Sequence, residues 1–196
     1  MKLTGIRSIE DLAYPTGVKP QTPTEGNGLT GKRVFIRVDY NVPLDKKTGA
    51  ITDDARIRES LPTIKYAVAS GAKVILASHM GRPKPGKHDG LSLEICGARL
   101  AELMECDVLL PDDCVGDSPA KVIHDLRTGQ LCLLENLRFH EEEEKDDEGF
   151  ARQLAELADV YVNDAFGAVH RAHASVHALP RMIRDRAAGF LLLKEL

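Results

Sequence analysis

Cysteine is scarce. Its four copies, Cys96, Cys106, Cys114 and Cys132, form neither a C-x-x-C pair nor the dense framework of a small secreted domain. Disulfides are therefore not expected, and the thiols read as the reduced thiols of a cytoplasmic protein. A basic excess is also missing. The 26 Lys and Arg residues face 30 Asp and Glu, a formal net charge of −4. That sign argues against a nucleic-acid or anionic-membrane partner, each of which demands a large positive field. No apolar run approaches the roughly 18 residues of a membrane span, and none follows Lys2 as a leader would, so a soluble, untargeted protein is expected.

Several chemical signatures are absent as well. There is no G-x-x-x-x-G-K-[ST] and no G-x-G-x-x-G after a strand, which removes both common nucleotide cradles. No G-x-S-x-G elbow occurs, and no cysteine has a matched His, so covalent catalysis has little support. His170 and His173 stand at i, i+3, but Arg171 lies between them and no paired Cys or acidic ligand motif accompanies them. They read as loop or pocket histidines, and no metal site is expected.

What remains is a chain of 196 residues in which strand-like and helix-like segments alternate, long enough for one sizeable α/β domain with an unstapled core. Ile6, Ile9 and Leu12 suggest a short amphipathic turn, and the Pro-, Thr- and Gly-rich stretch from Tyr14 to Gly28 a surface loop. Val34, Phe35, Ile36 and Val38 form a strand-length run that ends on Asp39 and Asn41 before Pro43. Asp53 caps an expected helix bearing Ile57, Leu61, Ile64 and Val68, closed by Gly71. A strand over Lys73–Ala77 leads into Ser78–Pro83 and a loop to Gly90. Ser92 opens a helix bearing Leu93, Cys96, Leu100 and Leu103, before a short strand over Val108–Leu110. Ser118 and Pro119 open another helix, with Gly129 as its stop, ahead of a strand over Leu131–Leu134. The acidic run Glu141–Glu144, with Asp146 and Asp147, reads as a solvated face and helix start. Phe150, Leu154 and Leu157 mark the next helix, Val160–Val162 the next strand, and Phe190–Leu193 a last apolar run left partly uncovered. The alternation predicts a Rossmann-like α/β three-layer sandwich, a mostly parallel sheet with helices on both faces.

In such a sheet, ligands collect at the carboxyl ends of the strands. The residues that follow the strands are Asp39 and Asn41, then His79 and Arg82, then Arg138, then His170 and Arg171, with Arg56 near the start of the first large helix. Five segments thus converge on one rim of an acidic protein, four of them bringing cations, a pattern suited to a small polyanion because Arg pairs bidentately with phosphate or carboxylate. Any single Arg is better explained by a surface carboxylate partner, and Asp39 with Asn41, taken alone, by an Asx turn capping a strand. The set as a whole favours a pocket.

The motifs R-V-D-Y-N-V-P at Arg37–Pro43, S-H-M-G-R-P at Ser78–Pro83, L-E-N-L-R-F-H at Leu134–His140, N-D-A-F-G at Asn163–Gly167 and H-R-A-H at His170–His173 resemble the N-terminal half of the phosphoglycerate kinase family. The resemblance implies a phosphoglycerate-binding domain over residues 32–196, preceded by an N-terminal segment, residues 1–31, with a loop insertion. It implies 3-phosphoglycerate or 1,3-bisphosphoglycerate as ligand. Asp39 and Asn41 would contact the glycerate part, with the backbone around Tyr40 assisting. His79, Arg82, Arg138 and Arg171 would bind the non-transferred phosphate, with Met80 and Gly81 shaping the loop. Arg56 would stabilise the phosphoryl group in flight. Arg37 would orient the site, and Asn163, Asp164, Phe166, Gly167 and His170 would support it or couple it to hinge closure. The family's Mg2+ and ADP or ATP bind a C-terminal domain expected to be missing here, since the sequence stops at Lys194-Glu195-Leu196. On that reading the chain binds substrate without turnover. A non-catalytic phosphometabolite-binding or interaction module is the alternative. Ala174–Leu179 departs from the family's usual continuation.

Overall fold

The computed structural model describes residues 6–14, 27–84 and 90–196. Most of the Tyr14–Gly28 stretch and the centre of the loop before Gly90 lie outside the described residues. The chain runs α1 (Ile9–Ala13), β1 (Arg33–Arg37), α2 (Ala55–Ala69), β2 (Lys73–Ala77), α3 (Glu94–Met104), β3 (Val108–Leu109), α4 (Asp117–Asp125), β4 (Leu131–Leu133), α5 (Glu148–Glu156), β5 (Val160–Asn163), α6 (Leu179–Met182), β6 (Asp185–Ala188) and α7 (Phe190–Glu195). The six strands form one sheet in the order β3-β4-β2-β1-β5-β6, and every neighbouring pair is parallel.

A parallel sheet covered on both faces needs strands that are apolar on both sides. The central strands meet that need. Val34 and Ile36 of β1 face one core with Val74, Leu76, Leu131, Leu133, Val160 and Val162, while Phe35 faces the other with Ile75, Cys132 and Tyr161. Helices α1, α2 and α3 close the first face through Ile9, Ile57, Ile64 and Leu100. Helices α4 and α5 close the second through Ile123, Phe150 and Leu154. Fully burying each such side chain contributes about 1.5–3 kcal/mol. Leu29 joins the first core, so the described residues ahead of Lys32 pack into the same body.

Three expectations are corrected. Strand β6 has no counterpart in the sequence reading, because Asp-Arg-Ala-Ala shows no apolar run; it lies at the sheet edge, where one side needs no cover. The N-cap position of α2 falls on Asp54, whose side chain caps no amide, while Asp53 accepts from the Ala55 amide at 2.9 Å in an Asx turn one residue earlier. The acidic run does precede a helix, with Asp147 accepting from Phe150 N at 2.8 Å, yet Glu143 within it is wholly buried. The last apolar run is partly uncovered, as expected: Phe190 packs edge-to-face on Tyr66, ring centroids 5.4 Å apart, and Leu192 is buried, while Leu191 and Leu193 keep some exposure.

Strand β1 connects through α2 to β2 on one side, whereas β5 connects onward to β6 on the other. The connections diverge between β1 and β5, and such a switch point opens a crevice at the carboxyl ends of the two strands.

Candidate functional site

Asp39 follows β1 and Gly167 follows β5 across that crevice. They are so close that a Cβ on Gly167 would fall 2.6 Å from Asp39 Oδ2. Arg56, in the first turn of α2, donates through Nη1 to the same Oδ2. Asp39 Oδ1 accepts from Asn41 N at 3.2 Å, the Asx turn that holds the strand exit. A cavity of about 290 Å³ opens here, lined among others by Asp39, Arg56, Asp164, Phe166, Gly167 and Leu191. Asp164 is buried, and its Oδ1 accepts from Leu191 N at 3.0 Å and Leu192 N at 3.3 Å. Burial pushes its carboxyl up to about 6. Its backbone N–H donates to Arg37 O, and Gly189 N donates to Asn163 O at 2.8 Å, so β1, β5 and α7 meet at these two residues.

A second group of contacts joins the ends of β1, β2 and β4. Asn41 Oδ1 accepts from Gly81 N at 2.8 Å, and Gly81 O accepts from Arg138 Nη1 at 2.7 Å. Gly81 has φ +61°, a conformation that disfavours a side chain, and a Cβ there would meet Leu91 at 2.7 Å. Beneath it, buried Asn136 accepts from Met80 N at 3.2 Å and Arg138 N at 3.1 Å while donating to Met80 O at 2.8 Å and Leu91 O at 2.9 Å. Glu135 secures the next layer, accepting from Ser92 Oγ at 2.6 Å and Leu93 N at 2.9 Å. Tyr40 and Met80 turn their side chains into the core, and Tyr40 N donates to Ser78 Oγ at 2.7 Å. Both therefore serve the rim through their backbone.

The cationic group is built on Arg37, which is only 1% exposed. Its Nε donates to Ser175 Oγ at 2.8 Å, its Nη1 to Val38 O, and its Nη2 to His79 Nδ1 at 3.0 Å. Arg has donors only, so Nδ1 must accept and the His79 proton sits on Nε2. Burial, reinforced by Arg37, Arg138, Arg171 and His173, pushes the His79 imidazole down to about 2, so it is neutral at physiological pH. Glu143 supplies the buried counter-charge. Its Oε1 lies 4.0 Å from Arg37 Nη2 and accepts from Ser175 Oγ at 2.5 Å, and its Oε2 accepts from Ser175 N at 2.9 Å. Arg138 is 7% exposed, and its Nε lies 3.2 Å from Glu144 Oε1 without the alignment of a hydrogen bond. Burial, with Arg171 and Arg37 nearby, lowers its affinity for a proton although Glu144 opposes the shift. His173 is depressed by burial too, against the pull of Glu143. Like charges crowded in this way favour an added anion.

The structure thus brings Asp39, Asn41, Arg56, Gly81 and Arg138 together through direct contacts, and groups Arg37, His79, Arg138 and Arg171 electrostatically. Arg82 and His170 are exposed beside them, and Phe166 is 40% exposed at the mouth. Sequence reasoning missed Glu143, Ser175 and Asn136. Only Asn136 carried a signal, its place directly after a strand.

The profile of the phosphoglycerate kinase family matches residues 25–196. The phosphoglycerate kinase of Anaeromyxobacter sp. (strain K) is 62% identical over 169 residues, covering 85% of this chain and 42% of the relative. The chloroplastic phosphoglycerate kinase of Volvox carteri is 56% identical over 168 residues, covering 86% of this chain and 36% of the relative. Among solved structures, phosphoglycerate kinase from Coxiella burnetii superposes with a TM-score of 0.79 at 34% identity, covering 97% of this chain and 43% of that one. The enzyme from Pyrococcus horikoshii OT3 gives 0.77 at 35% identity, covering 85% and 42%. The chain therefore spans less than half the length of these relatives. With the family profile matched over residues 25–196 and relatives of this identity and fold beside it, the chain belongs to the phosphoglycerate kinase family.

Proposed function

We propose that this chain forms the phosphoglycerate side of a phosphoglycerate kinase, and that the intact protein moves a phosphoryl group reversibly from 1,3-bisphosphoglycerate to ADP, giving 3-phosphoglycerate and ATP. The observation that supports this best is the crowding of Arg138 and Arg171 around a neutral His79 above buried Arg37. There, Arg138, Arg171 and Arg82 pair with the non-transferred phosphate, and His79 donates its Nε2 proton to a phosphate oxygen. Asp39 and Asn41, already held in an Asx turn, hydrogen-bond the glycerate part. Arg56 leaves Asp39 for the carboxyl end of the substrate, where it meets charge developing on the phosphoryl oxygens. Such catalysis is positioning and electrostatics and needs no covalent nucleophile.

The rim is cationic, so it fits an anionic substrate and not a divalent metal ion. Mg2+ with ADP or ATP belongs in this reading to a second, nucleotide-binding domain, consistent with relatives longer than this chain. That nucleotide supplies the phosphoryl acceptor or donor. Residues 32–196 serve as the phosphoglycerate-binding domain and residues 1–31 as its N-terminal segment; Asn163, Asp164, Phe166, Gly167 and His170 couple the rim to closure. Among the described residues no helix is long and apolar enough to cross a membrane, and the four cysteines are free, which fits a reducing cytoplasm.

Calorimetric titration of the chain with 3-phosphoglycerate at low salt tests the reading. Saturable heat is expected, and its loss in an Arg138→Ala, Arg171→Ala double variant. No heat from a folded wild-type chain would overturn it.

A further inference from the structure

Asp113, Cys114 and His140 lie apart from the rim contacts. They come from two segments, the loop after β3 and the turn after β4, and one ligand atom from each falls within 4.8 Å of the other two. His140 Nε2 and Asp113 Oδ1 are 2.7 Å apart, and the same oxygen accepts from Cys114 N at 2.6 Å. The imidazole is set by stacking on Phe150, ring centroids 5.3 Å apart and planes 27° apart. We infer that Asp113, Cys114 and His140 form a site for a zinc-type divalent cation.

The choice of ion follows from the donors. A thiolate with an imidazole selects a borderline-soft ion such as Zn2+ over Mg2+, which prefers oxygen and water. Bond lengths of about 2.0–2.3 Å place neighbouring ligand atoms on a tetrahedral zinc roughly 3.3–3.7 Å apart, so closing this set takes a movement of about 1 Å. Access is one-sided. Cys114 is buried, whereas the His140 and Asp113 side chains are 28% and 44% exposed, which leaves the fourth position to water. Burial, with Asp113 and Glu143 nearby, holds the Cys114 thiol well above its ordinary range, so it is protonated without a cation. Binding releases that proton to solvent and moves the His140 proton from Nε2 to Nδ1; no oxidation or reduction occurs. The bound ion would clamp the loop after β3 to the turn that carries Arg138.

The test uses the reduced, chelator-stripped 196-residue chain titrated with Co2+. We expect one equivalent to give an intense near-ultraviolet thiolate-to-cobalt band with tetrahedral visible bands, all displaced by Zn2+. Cys114→Ser should abolish the near-ultraviolet band and Cys106→Ser, at the exposed cysteine, should leave it unchanged. Asp113→Asn and His140→Phe, the latter preserving the stack on Phe150, should weaken binding by at least about 10–100-fold, the scale known for outer partners of metal ligands. Their circular dichroism should stay native, so these variants decide the matter if Cys114→Ser fails to fold. A folded wild-type chain with no thiolate band overturns the inference. So does a band lost in Cys106→Ser, or affinity unchanged in both Asp113→Asn and His140→Phe.

Discussion

The substitution Glu143→Gln strikes the foundation of the rim without touching any group that faces ligand. It leaves the volume almost unchanged and removes the buried negative charge beside Arg37, whose side chain is 1% exposed against 0% for Glu143. At their separation of 4.0 Å, an effective dielectric of about 20 makes the attraction about 4 kcal/mol. Breaking a buried pair from one side costs about 3–5 kcal/mol, because the remaining charge is left unpaired. The new amide also turns an N–H2 toward either the backbone N–H or the hydroxyl of Ser175, both of which donate to Glu143 now. Against a typical domain stability of about 5–15 kcal/mol, the loss is large. It corresponds to a fall in Tm of roughly 6–20 °C for a chain of this size. Urea and thermal unfolding of the wild type, Glu143→Gln, Arg37→Met and the double variant give the measurement. Arg37→Met carries its own losses at His79 and Val38. The informative quantity is therefore the coupling: the double variant should be less destabilised than the sum of the singles by about 2 kcal/mol or more. A single variant within about 1 kcal/mol of wild type, or additive singles, would refute the assignment of Glu143 as the counter-ion that holds Arg37 under the site.

Three further outcomes are expected. The Asp164 carboxyl is raised to about 6 in the fold, so its contribution to stability is complete below the unfolded value near 4 and is lost as pH rises through about 6. Asp164→Asn should therefore gain on wild type by up to about 3 kcal/mol between pH 4 and pH 7.5 in parallel unfolding curves; equal slopes would refute this. Gly81→Ala places a side chain at φ +61° against Leu91 and should cost about 1–2 kcal/mol. Because the Gly81 backbone links Asn41 to Arg138, calorimetry should also show 3-phosphoglycerate binding weakened. Asn136→Ala strands the polar groups of Met80, Leu91 and Arg138 and should cost about 3 kcal/mol or more by urea unfolding.

Most of the sheet was legible because a strand buried on both faces must be apolar on both, which Val34-Phe35-Ile36 and Val74-Ile75-Leu76 display openly. The same physics hid β6, whose edge position tolerates Asp185 and Arg186 and leaves no run to detect. The rim was legible wherever a polar side chain directly follows a strand, as at Asp39, Asn41, His79 and Arg138. Glu143 was not, since nothing local separates it from the glutamates beside it. Its burial is decided by Ser175 and Arg37, which lie 32 and 106 positions away along the sequence. Cys114 likewise showed no matched histidine, because His140 reaches it and the adjoining Asp113 only when the loops after β3 and β4 converge.

The Arg37–Ser175 hydrogen bond joins residues 138 positions apart. Pinning such distant points costs loop entropy before any packing is gained, so contacts of this span form late. On a translating ribosome at about 5–20 residues per second, roughly 7–28 s separate the emergence of the two partners. Until Ser175 and Glu143 arrive, Arg37 has no finished place beneath His79. Any ligand affinity that the rim confers would then appear only after Ser175 has emerged and closed this contact.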